Sequence, residues 1–216
     1  TLSSSTPDPD LCSKIRASVF LAAPLLVRFG KTVVTPPGGD QIGDRFLDTH
    51  FSMMQKMGVE MERKDGQFFL SWKKKVGGDI FLEEASVTAT EMALMMGTAI
   101  KEGATLENAA TEPHVTDLGN MLNKMGANIK GLGGSTLSIS GGSLKGVEYK
   151  VMPDHIEGGT FIIASEITGG HVKIIDFIPE HHKMALINLA HMGVNFKLRD
   201  NSIEVFPSKL VAIRKK

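Results

Sequence analysis

Asp40 is a single carboxylate in a loop rich in proline and glycine, Pro36–Arg45. The prolines stiffen the entry of the loop, and glycines on both sides of Asp40 permit backbone conformations and close approaches that a side chain would prevent. Arg45 opens a helical pattern, where a guanidinium group and free backbone N–H groups favour an anion such as phosphate. The loop therefore combines a candidate acid with a candidate anion site, although a plain surface turn also fits these ten residues.

Two further helix starts carry candidate binding residues. Arg16 lies in the first turn of the first predicted helix, where a cation opposes the helix dipole unless an anion lies between them. The segment Ala85–Glu91 opens another helix, in which Thr88 and Glu91 have the spacing of a capping box. Its free N–H groups suit a diphosphate, and an ordinary cap explains it equally well. Other polar residues at predicted element ends are Asp48, His50, Glu112, Asp154 and His155.

Composition excludes several classes of function. Lys and Arg together number 24, as do Asp and Glu, so there is no basic excess to indicate nucleic-acid binding. Cys12 is the only cysteine, which excludes an internal disulfide and fits a reducing compartment. The N-terminus lacks the basic region of a secretory signal, and the longest apolar run, Ala17–Val27, is too short to span a bilayer. We therefore expect no membrane association. The sequence has no metal-ligand spacing and no dinucleotide or phosphate-loop motif, so we also expect no metal and no cofactor.

Three Met-Gly pairs recur at nearly equal spacing, Met57-Gly58, Met125-Gly126 and Met192-Gly193. An amphipathic helical pattern precedes each pair, and two short strands joined by a turn follow it. The glycine predicts the end of each helix, where a left-handed residue is common. The chain therefore contains a threefold internal repeat.

The first part of each repeat also recurs, as a helix rich in small residues that ends at a glycine and is followed by a strand. These helices are predicted at Ile15–Phe29, with Ser13 as N-cap, at Ala89–Lys101 and at Gly158–Ile167. Lead-in strands are predicted at Asp79–Leu82 and Glu148–Met152, whereas the one ahead of Ile15 is unclear. The fold class is therefore α/β (α+β), built from three βαβαββ repeats.

Several motifs occur in the order found in one enzyme family. They are Lys14–Ser18, Pro24–Gly30, Pro37–Arg45, Asp48–His50, Ser86–Thr90, Glu107–Pro113 and Pro153–Phe161. From about residue 14 to 206 the chain resembles the UDP-N-acetylglucosamine 1-carboxyvinyltransferases, which are enolpyruvyl transferases of bacterial peptidoglycan synthesis. The resemblance implies an inside-out α/β barrel of βαβαββ units packed around pseudo-threefold axes.

The resemblance also implies a reaction and its site residues. Phosphoenolpyruvate would react with the 3′-hydroxyl of UDP-N-acetylglucosamine, and a loop acid would protonate the enol methylene before phosphate leaves. That acid is cysteine in most members and Asp40 here, so fosfomycin, which alkylates the thiol, is not expected to inactivate this chain. Arg16 matches an arginine near the substrates. The remaining matches are a uridine segment, Arg45, Phe46, Leu47, Asp48 and Thr49, and a diphosphate segment, Glu84, Ala85, Ser86 and Val87.

The chain departs from the family pattern in residues and in length. Glu84 replaces a lysine of the diphosphate segment, Thr88 replaces a glycine, and Phe46–Thr49 replaces a Pro-Val-Asp-Leu pattern. Family members carry six repeats in two lobes, and this chain has three. We therefore expect a polar segment at 1–13, two repeats of the loop-bearing lobe at 14–148 and one repeat of the second lobe at 149–216. The alternative is a single three-repeat domain at 14–216.

Three functions remain open at this point. The first is a cytoplasmic enolpyruvyl transferase, or a piece of one, in which Asp40 is the general acid. Because free aspartic acid titrates near 4, the pKa of Asp40 would have to rise by roughly three units on substrate binding. The second is a catalytically incomplete module that binds a nucleotide sugar or serves assembly, and the third is a purely structural repeat domain. A homodimer would restore six repeats.

Overall fold

The computed structural model describes residues 2–39 and 46–212 and divides the chain into two compact units. Unit 1 is Thr1–Tyr149 and contains the first two repeats, and unit 2 is Lys150–Lys216 and contains the third. Asp40 and Arg45 lie outside the described residues. The assignment of the two units to two lobes of a larger protein stays a prediction.

Unit 1 contains five α-helices and one 3-10 helix among its described residues. The helices are α1 (Pro9–Cys12), the 3-10 helix (Arg16–Leu21), α2 (Ala22–Phe29), α3 (Asp48–Lys56), α4 (Val87–Gly97) and α5 (Pro113–Met125). The three-stranded antiparallel sheet has the order β1-β3-β2, with β1 (Lys31–Val34), β2 (Glu60–Lys64) and β3 (Gln67–Ser71).

A four-stranded sheet follows in unit 1, with the order β4-β5-β7-β6. Its strands are β4 (Gly78–Phe81), β5 (Ala104–Glu107), β6 (Asn128–Lys130) and β7 (Thr136–Ser140). The lead-in strand β4 pairs in parallel with β5, and the other pairs are antiparallel. The second repeat is therefore a complete βαβαββ unit, as the sequence predicts.

Up to residue 212, unit 2 repeats the plan of the second repeat with one strand fewer. It contains α6 (His155–Thr168), a 3-10 helix (Pro179–His182) and α7 (Lys183–His191). Its antiparallel sheet has the order β8-β10-β9, with β8 (Val172–Ile175), β9 (Asn195–Arg199) and β10 (Ser202–Phe206). The mixture of helices and sheets in both units confirms the α/β class.

Local sequence signals explain most element ends. The hairpin between β2 and β3 turns at Asp65 and Gly66, whose φ angles of 50° and 76° are both left-handed, as a two-residue type I′ turn requires. Pro113 occupies the first turn of α5, where a backbone N–H would have no hydrogen-bond partner within the helix, so its absence in proline costs nothing. Gly126 ends the same helix with φ 114°.

The predicted helix Ile15–Phe29 is wrong in its first half. Residues Arg16–Leu21 form a 3-10 helix, and the α-helix begins only at Ala22. Pro24 accounts for the break, because a proline deep inside a longer α-helix would lose a backbone hydrogen bond and clash with the preceding turn. Ser13 is not an N-cap, since it ends α1, which Asp8 caps through bonds to the N–H groups of Asp10 and Leu11.

Two other local predictions are also wrong. The lead-in strand Glu148–Met152 is absent, and the segment is held instead by Tyr149, which donates to Asp117, and by the Lys145 N–H, which donates to Met125 O at 2.8 Å. The N-cap of α4 is Ser86 rather than Thr88, because Ser86 has the extended backbone of a cap and its Oγ accepts from Ala89 N at 3.3 Å.

The core of unit 1 surrounds α4. This helix is buried on nearly all sides and packs against α2, α3 and α5. Gly97 permits close packing of α4 on β7, since a Cβ atom there would lie 2.7 Å from Ile139 Cγ2. Trp72, which is 2% exposed, closes one side of the core and donates from Nε1 to Met57 O at 2.7 Å.

The core of unit 2 is much smaller. Among the described residues it consists of Ile162, Phe177, Leu186, Val194, Ile203 and Val205. On α6 only Gly158, Ile162 and Ser165 are buried, whereas Phe161, Ile163 and Ile167 are exposed. This unit therefore buries little apolar surface by itself.

Candidate functional site

The cavity that concerns function lies in unit 1, where the first 3-10 helix, α3 and α4 all begin. Its volume is about 610 Å³, and its lining residues come from three separate segments. They are Arg16, Ala17, Val19 and Phe20, then Phe46, Asp48, Thr49 and His50, and finally Glu84, Ser86 and Thr88. Six of the predicted site residues thus line one cavity, namely Arg16, Phe46, Asp48, Thr49, Glu84 and Ser86.

Arg16 is the first residue of the 3-10 helix and is half-buried in the cavity wall. Its Nη2 atom donates to Phe46 O at 3.5 Å. This bond ties the first segment of the wall to the second, although the two residues are 30 positions apart. A guanidinium in this place provides the positive charge that an anionic ligand needs.

The second segment leads into α3. Asp48 and Thr49 form its first turn and line the cavity, and Phe46 precedes it with 73% of its surface exposed. Leu47 occupies the N-cap position and packs against the hydrophobic core, so this predicted site residue does not line the cavity.

The third segment leads into α4. Glu84 and Ser86 line the cavity, while Ala85 is exposed outside its lining and Val87 packs against the core. The Ser86 hydroxyl is engaged as the cap of the helix. The start of α4 and the side chains of Asp48 and Glu84 therefore line the same cavity.

His50 is a buried polar residue of the cavity wall, with 5% of its surface exposed. Its Nε2 atom is hydrogen-bonded to the hydroxyl of Thr88. Burial lowers the pKa of His50 to about 4, and the nearby Arg16 guanidinium contributes in the same direction. His50 is therefore a neutral imidazole at neutral pH.

The entry of the Pro36–Arg45 loop lies beside Arg16. A Cβ atom on Gly38 would lie 1.6 Å from Ser13 O, and one on Gly39 would lie 3.3 Å from Arg16 N. The Gly38 N–H also donates to Cys12 O at 3.4 Å. The two residues that precede Asp40 thus pack directly on the backbone that leads into Arg16.

Two other predicted candidates lie elsewhere. Glu112 is the N-cap residue of α5 and does not line the cavity. It lies near Glu91, whose pKa is raised by burial and by the Glu112 carboxylate while His114 opposes that shift. Asp154 caps α6 in unit 2 by accepting from Ile156 N at 2.8 Å.

No group of three or more His, Cys, Asp or Glu side chains within residues 2–39 and 46–212 is arranged to hold a metal ion. Over the same residues, none of the helices has the length and apolar character needed to cross a membrane. Sequence reasoning missed Thr88 as a cavity residue, because the capping-box spacing assigned it to the helix end.

The sequence is similar to those of known proteins over nearly its whole length. A sequence profile described as EPSP synthase (3-phosphoshikimate 1-carboxyvinyltransferase) matches residues 2–215. A UDP-N-acetylglucosamine 1-carboxyvinyltransferase of Treponema denticola is 45% identical over 198 residues, which are 91% of this chain and 46% of that protein. A protein of the same name from Bradyrhizobium diazoefficiens is 39% identical over 208 residues, which are 96% of this chain and 48% of that protein.

Two solved structures share the fold. The enolpyruvyl transferase NikO of Streptomyces tendae superposes with a TM-score of 0.81 at 22% identity, over 94% of this chain and 50% of that one. EPSP synthase of Acinetobacter baumannii gives a TM-score of 0.65 at 21% identity, over 93% of this chain and 48% of that one. The chain spans about half the length of the curated relatives it matches. The match over nearly all of its residues shows that the chain belongs to the EPSP synthase family of enolpyruvyl transferases.

Proposed function

We propose that this chain supplies part of the active site of an enolpyruvyl transferase that joins phosphoenolpyruvate to the 3′-hydroxyl of UDP-N-acetylglucosamine. This is the first committed step of peptidoglycan synthesis. The observation that carries the proposal is the cavity of unit 1, in which Arg16, Asp48 and Ser86 converge from three segments of the chain. The names of the relatives from Treponema denticola and Bradyrhizobium diazoefficiens support the choice of substrates.

Different parts of the cavity wall suit different parts of a nucleotide sugar. The first turn of α4 provides backbone donors for a diphosphate, and the first turn of α3 provides Asp48 and Thr49 as hydrogen-bonding groups for a polar ring. Phe46, which is largely exposed, provides an apolar surface on which a base can lie. We assign Arg45, Leu47, Ala85 and Val87 to the same binding segments on the strength of the sequence resemblance.

Asp40 is the proposed general acid. The packing of Gly38 and Gly39 on the Ser13–Arg16 backbone supports this role, because it starts the loop next to the cavity wall. A carboxyl group can protonate the enol methylene only if its pKa rises toward neutrality, which a closed site and a phosphate dianion both favour. The hydroxyl of the sugar would then attack the cationic carbon and lose its proton. The tetrahedral intermediate would expel phosphate and lose one proton from its new methyl group, which restores the carbon–carbon double bond, and both protons would pass to solvent.

Three finer expectations accompany the proposal. The enzyme acts in the cytoplasm. Two copies of the chain pair, because family members carry six repeats and this chain has three. It also resists fosfomycin, because an aspartate stands at the alkylated position and the one thiol, that of Cys12, is 7% exposed. Incubation with fosfomycin followed by mass spectrometry tests the last point, since an adduct on the chain would contradict it.

The deciding experiment is phosphate release from phosphoenolpyruvate by the purified chain, with and without UDP-N-acetylglucosamine. Release that depends on the nucleotide sugar, and that is lost in Asp40→Asn but kept in the loop control Asp44→Asn, is the expected result. Unchanged turnover in Asp40→Asn would contradict the role of the acid. A folded chain that binds the nucleotide sugar without releasing phosphate would favour the catalytically incomplete binding module.

A further inference from the structure

One hydrogen bond joins two segments of the cavity wall across 38 residues. His50 is the third residue of α3 and Thr88 is the second residue of α4, and His50 Nε2 is bonded to Thr88 Oγ1. Asp48 and Thr49 directly precede the histidine, and Glu84 and Ser86 precede the threonine. The bond therefore sets the separation of the two segments to which the proposed function assigns the nucleotide sugar.

The direction of this bond follows from the available protons. A neutral imidazole carries one N–H, and a threonine hydroxyl carries one O–H. Either Thr88 donates to His50, which places the ring proton on Nδ1, or His50 donates from Nε2 to Thr88, which leaves Nδ1 as a bare acceptor. The surroundings of Nδ1 distinguish the two cases.

The Nδ1 atom of His50 is buried, and no described residue gives it a hydrogen-bond partner. Buried N–H groups without an acceptor are rarer than buried acceptors without a donor. The proton is therefore more stable on Nε2, where Thr88 Oγ1 accepts it. In this tautomer the hydroxyl proton of Thr88 is not used by His50.

Within residues 2–39 and 46–212, the Thr88 hydroxyl has one further hydrogen-bonding neighbour, Ser86. Ser86 Oγ lies 3.4 Å away, at the long end of the hydrogen-bonding range, and already accepts from Ala89 N at 3.3 Å. Thr88 is partly exposed and lines the cavity. Its O–H can therefore point toward a ligand in the cavity.

We propose that His50 is a positioning residue that donates from Nε2 to Thr88, and that Thr88 in turn donates its hydroxyl proton to a phosphate or carboxylate oxygen bound at the start of α4. The inference rests on the proposed function for the identity of the ligand, but its geometry depends only on residues of the wall. It adds Thr88 to the ligand-binding residues of this site.

Nucleotide binding by Thr88 variants provides the first test. Thr88→Val preserves the shape of the side chain and removes the hydroxyl, whereas Thr88→Ser keeps it. A hydrogen bond to a charged group contributes about 1.5–3 kcal/mol, so the valine variant should bind UDP-N-acetylglucosamine about 10- to 100-fold more weakly by calorimetry. The serine variant should stay within about threefold of wild type. Thr116→Val, on α5 and outside the cavity lining, is the matched control and should bind normally.

The tautomer of His50 provides the second test and requires no ligand. Nitrogen NMR of the imidazole in the unliganded protein should show the proton on Nε2, and His50→Gln, which keeps an N–H donor, should retain nucleotide affinity better than His50→Leu. A proton on Nδ1 would overturn the proposed direction of donation.

The outcomes separate the two proposals. If the wild-type chain binds the nucleotide sugar and Thr88→Val binds it equally well, the role of Thr88 is wrong and the proposed function stands. If the wild-type chain does not bind it, the proposed function and the ligand contact of Thr88 are both contradicted, and the NMR measurement still decides the His50 tautomer.

Discussion

The Tyr149 hydroxyl group donates to the Asp117 carboxylate of α5, with 2.8 Å between Oη and Oδ1. This bond anchors the last residue of unit 1, immediately before Lys150 begins unit 2. The ring of Tyr149 also lies under the Lys124 ammonium group, whose Nζ is 5.2 Å from the ring centroid. The end of unit 1 is therefore fixed to α5 by a polar and a cation–π contact.

Tyr149→Phe should weaken this anchor without removing the ring. Loss of one hydrogen bond costs about 1 kcal/mol, and the cation–π contact with Lys124 remains in the variant. We expect a lower denaturation midpoint for unit 1 and faster proteolysis around residue 149. Tyr149→Leu, which loses both contacts, should be less stable than Tyr149→Phe; equal stability would show that the ring contact contributes nothing.

The same contact should be visible in an alkaline titration. Removal from water and the hydrogen bond to Asp117 raise the pKa of Tyr149 to about 12. Because the unfolded chain loses this proton at lower pH, the contribution of Tyr149 to stability is present below about pH 10 and declines as the pH rises toward 12. Ultraviolet absorbance follows the ionisation of this tyrosine, and Asp117→Asn should move its midpoint downward.

Stability should fall with acid partly because of His50. Burial and Arg16 lower its pKa to about 4 in the folded chain, whereas an unfolded histidine titrates near 6.5, so between these values the unfolded state binds more protons. Its contribution is complete above about pH 6.5 and is lost as the pH falls toward 4, to an extent on the order of 3 kcal/mol.

Chemical denaturation at pH 7 and pH 5 measures this effect. The difference in unfolding free energy between the two values should be smaller in His50→Gln than in wild type. His191→Gln, an exposed residue at the end of α7, serves as the control and should behave as wild type. An identical pH dependence in His50→Gln would contradict the buried neutral state of His50.

Gly38→Ala should displace the entry of the Pro36–Arg45 loop. A Cβ atom there would lie 1.6 Å from Ser13 O, so the backbone of one segment must move. We expect a destabilisation of about 1–3 kcal/mol by denaturant unfolding, together with weaker nucleotide binding. Gly146→Ala, where no atom lies within 4 Å of the added Cβ, is the control, and the prediction fails if both variants have the same stability.

Hydrogen exchange should distinguish the two units. Local stability follows buried apolar contact, and unit 2 has a small core and an α6 that is largely exposed. Amides of β8 and α6 should exchange faster than those of α4 and β5. Equal protection in the two units would contradict this order.

Short-range signals in the sequence predict the hairpins and helix ends well. The two strands predicted after Met125-Gly126 and after Met192-Gly193 are found as β6 and β7 and as β9 and β10, because alternation and turn residues are local properties. The 3-10 helix at Arg16 was not predicted, and the strand predicted at Glu148–Met152 is not formed. In this segment the Tyr149 hydroxyl contacts Asp117, a residue 32 positions earlier that no local pattern pairs with it.

The spacing of residues in the sequence predicts only part of the candidate site. Arg16, Asp48 and Ser86 are far apart in sequence, and they meet because α2 and α3 both pack on α4. The family resemblance places them in one site, but it predicts neither the burial of His50 nor its hydrogen bond to Thr88. Local pattern names residue types, whereas tertiary packing decides which of them share a cavity.

The position of Trp72 has a practical consequence for spectroscopy. Trp72 is the chain's only tryptophan and Tyr149 its only tyrosine, and both belong to unit 1. The buried indole donates to Met57 O, so its emission should respond strongly when that core opens. Fluorescence excited at the indole band is therefore a reporter of unit 1 alone, and an unfolding of unit 2 would pass without a signal unless a second fluorophore were introduced there.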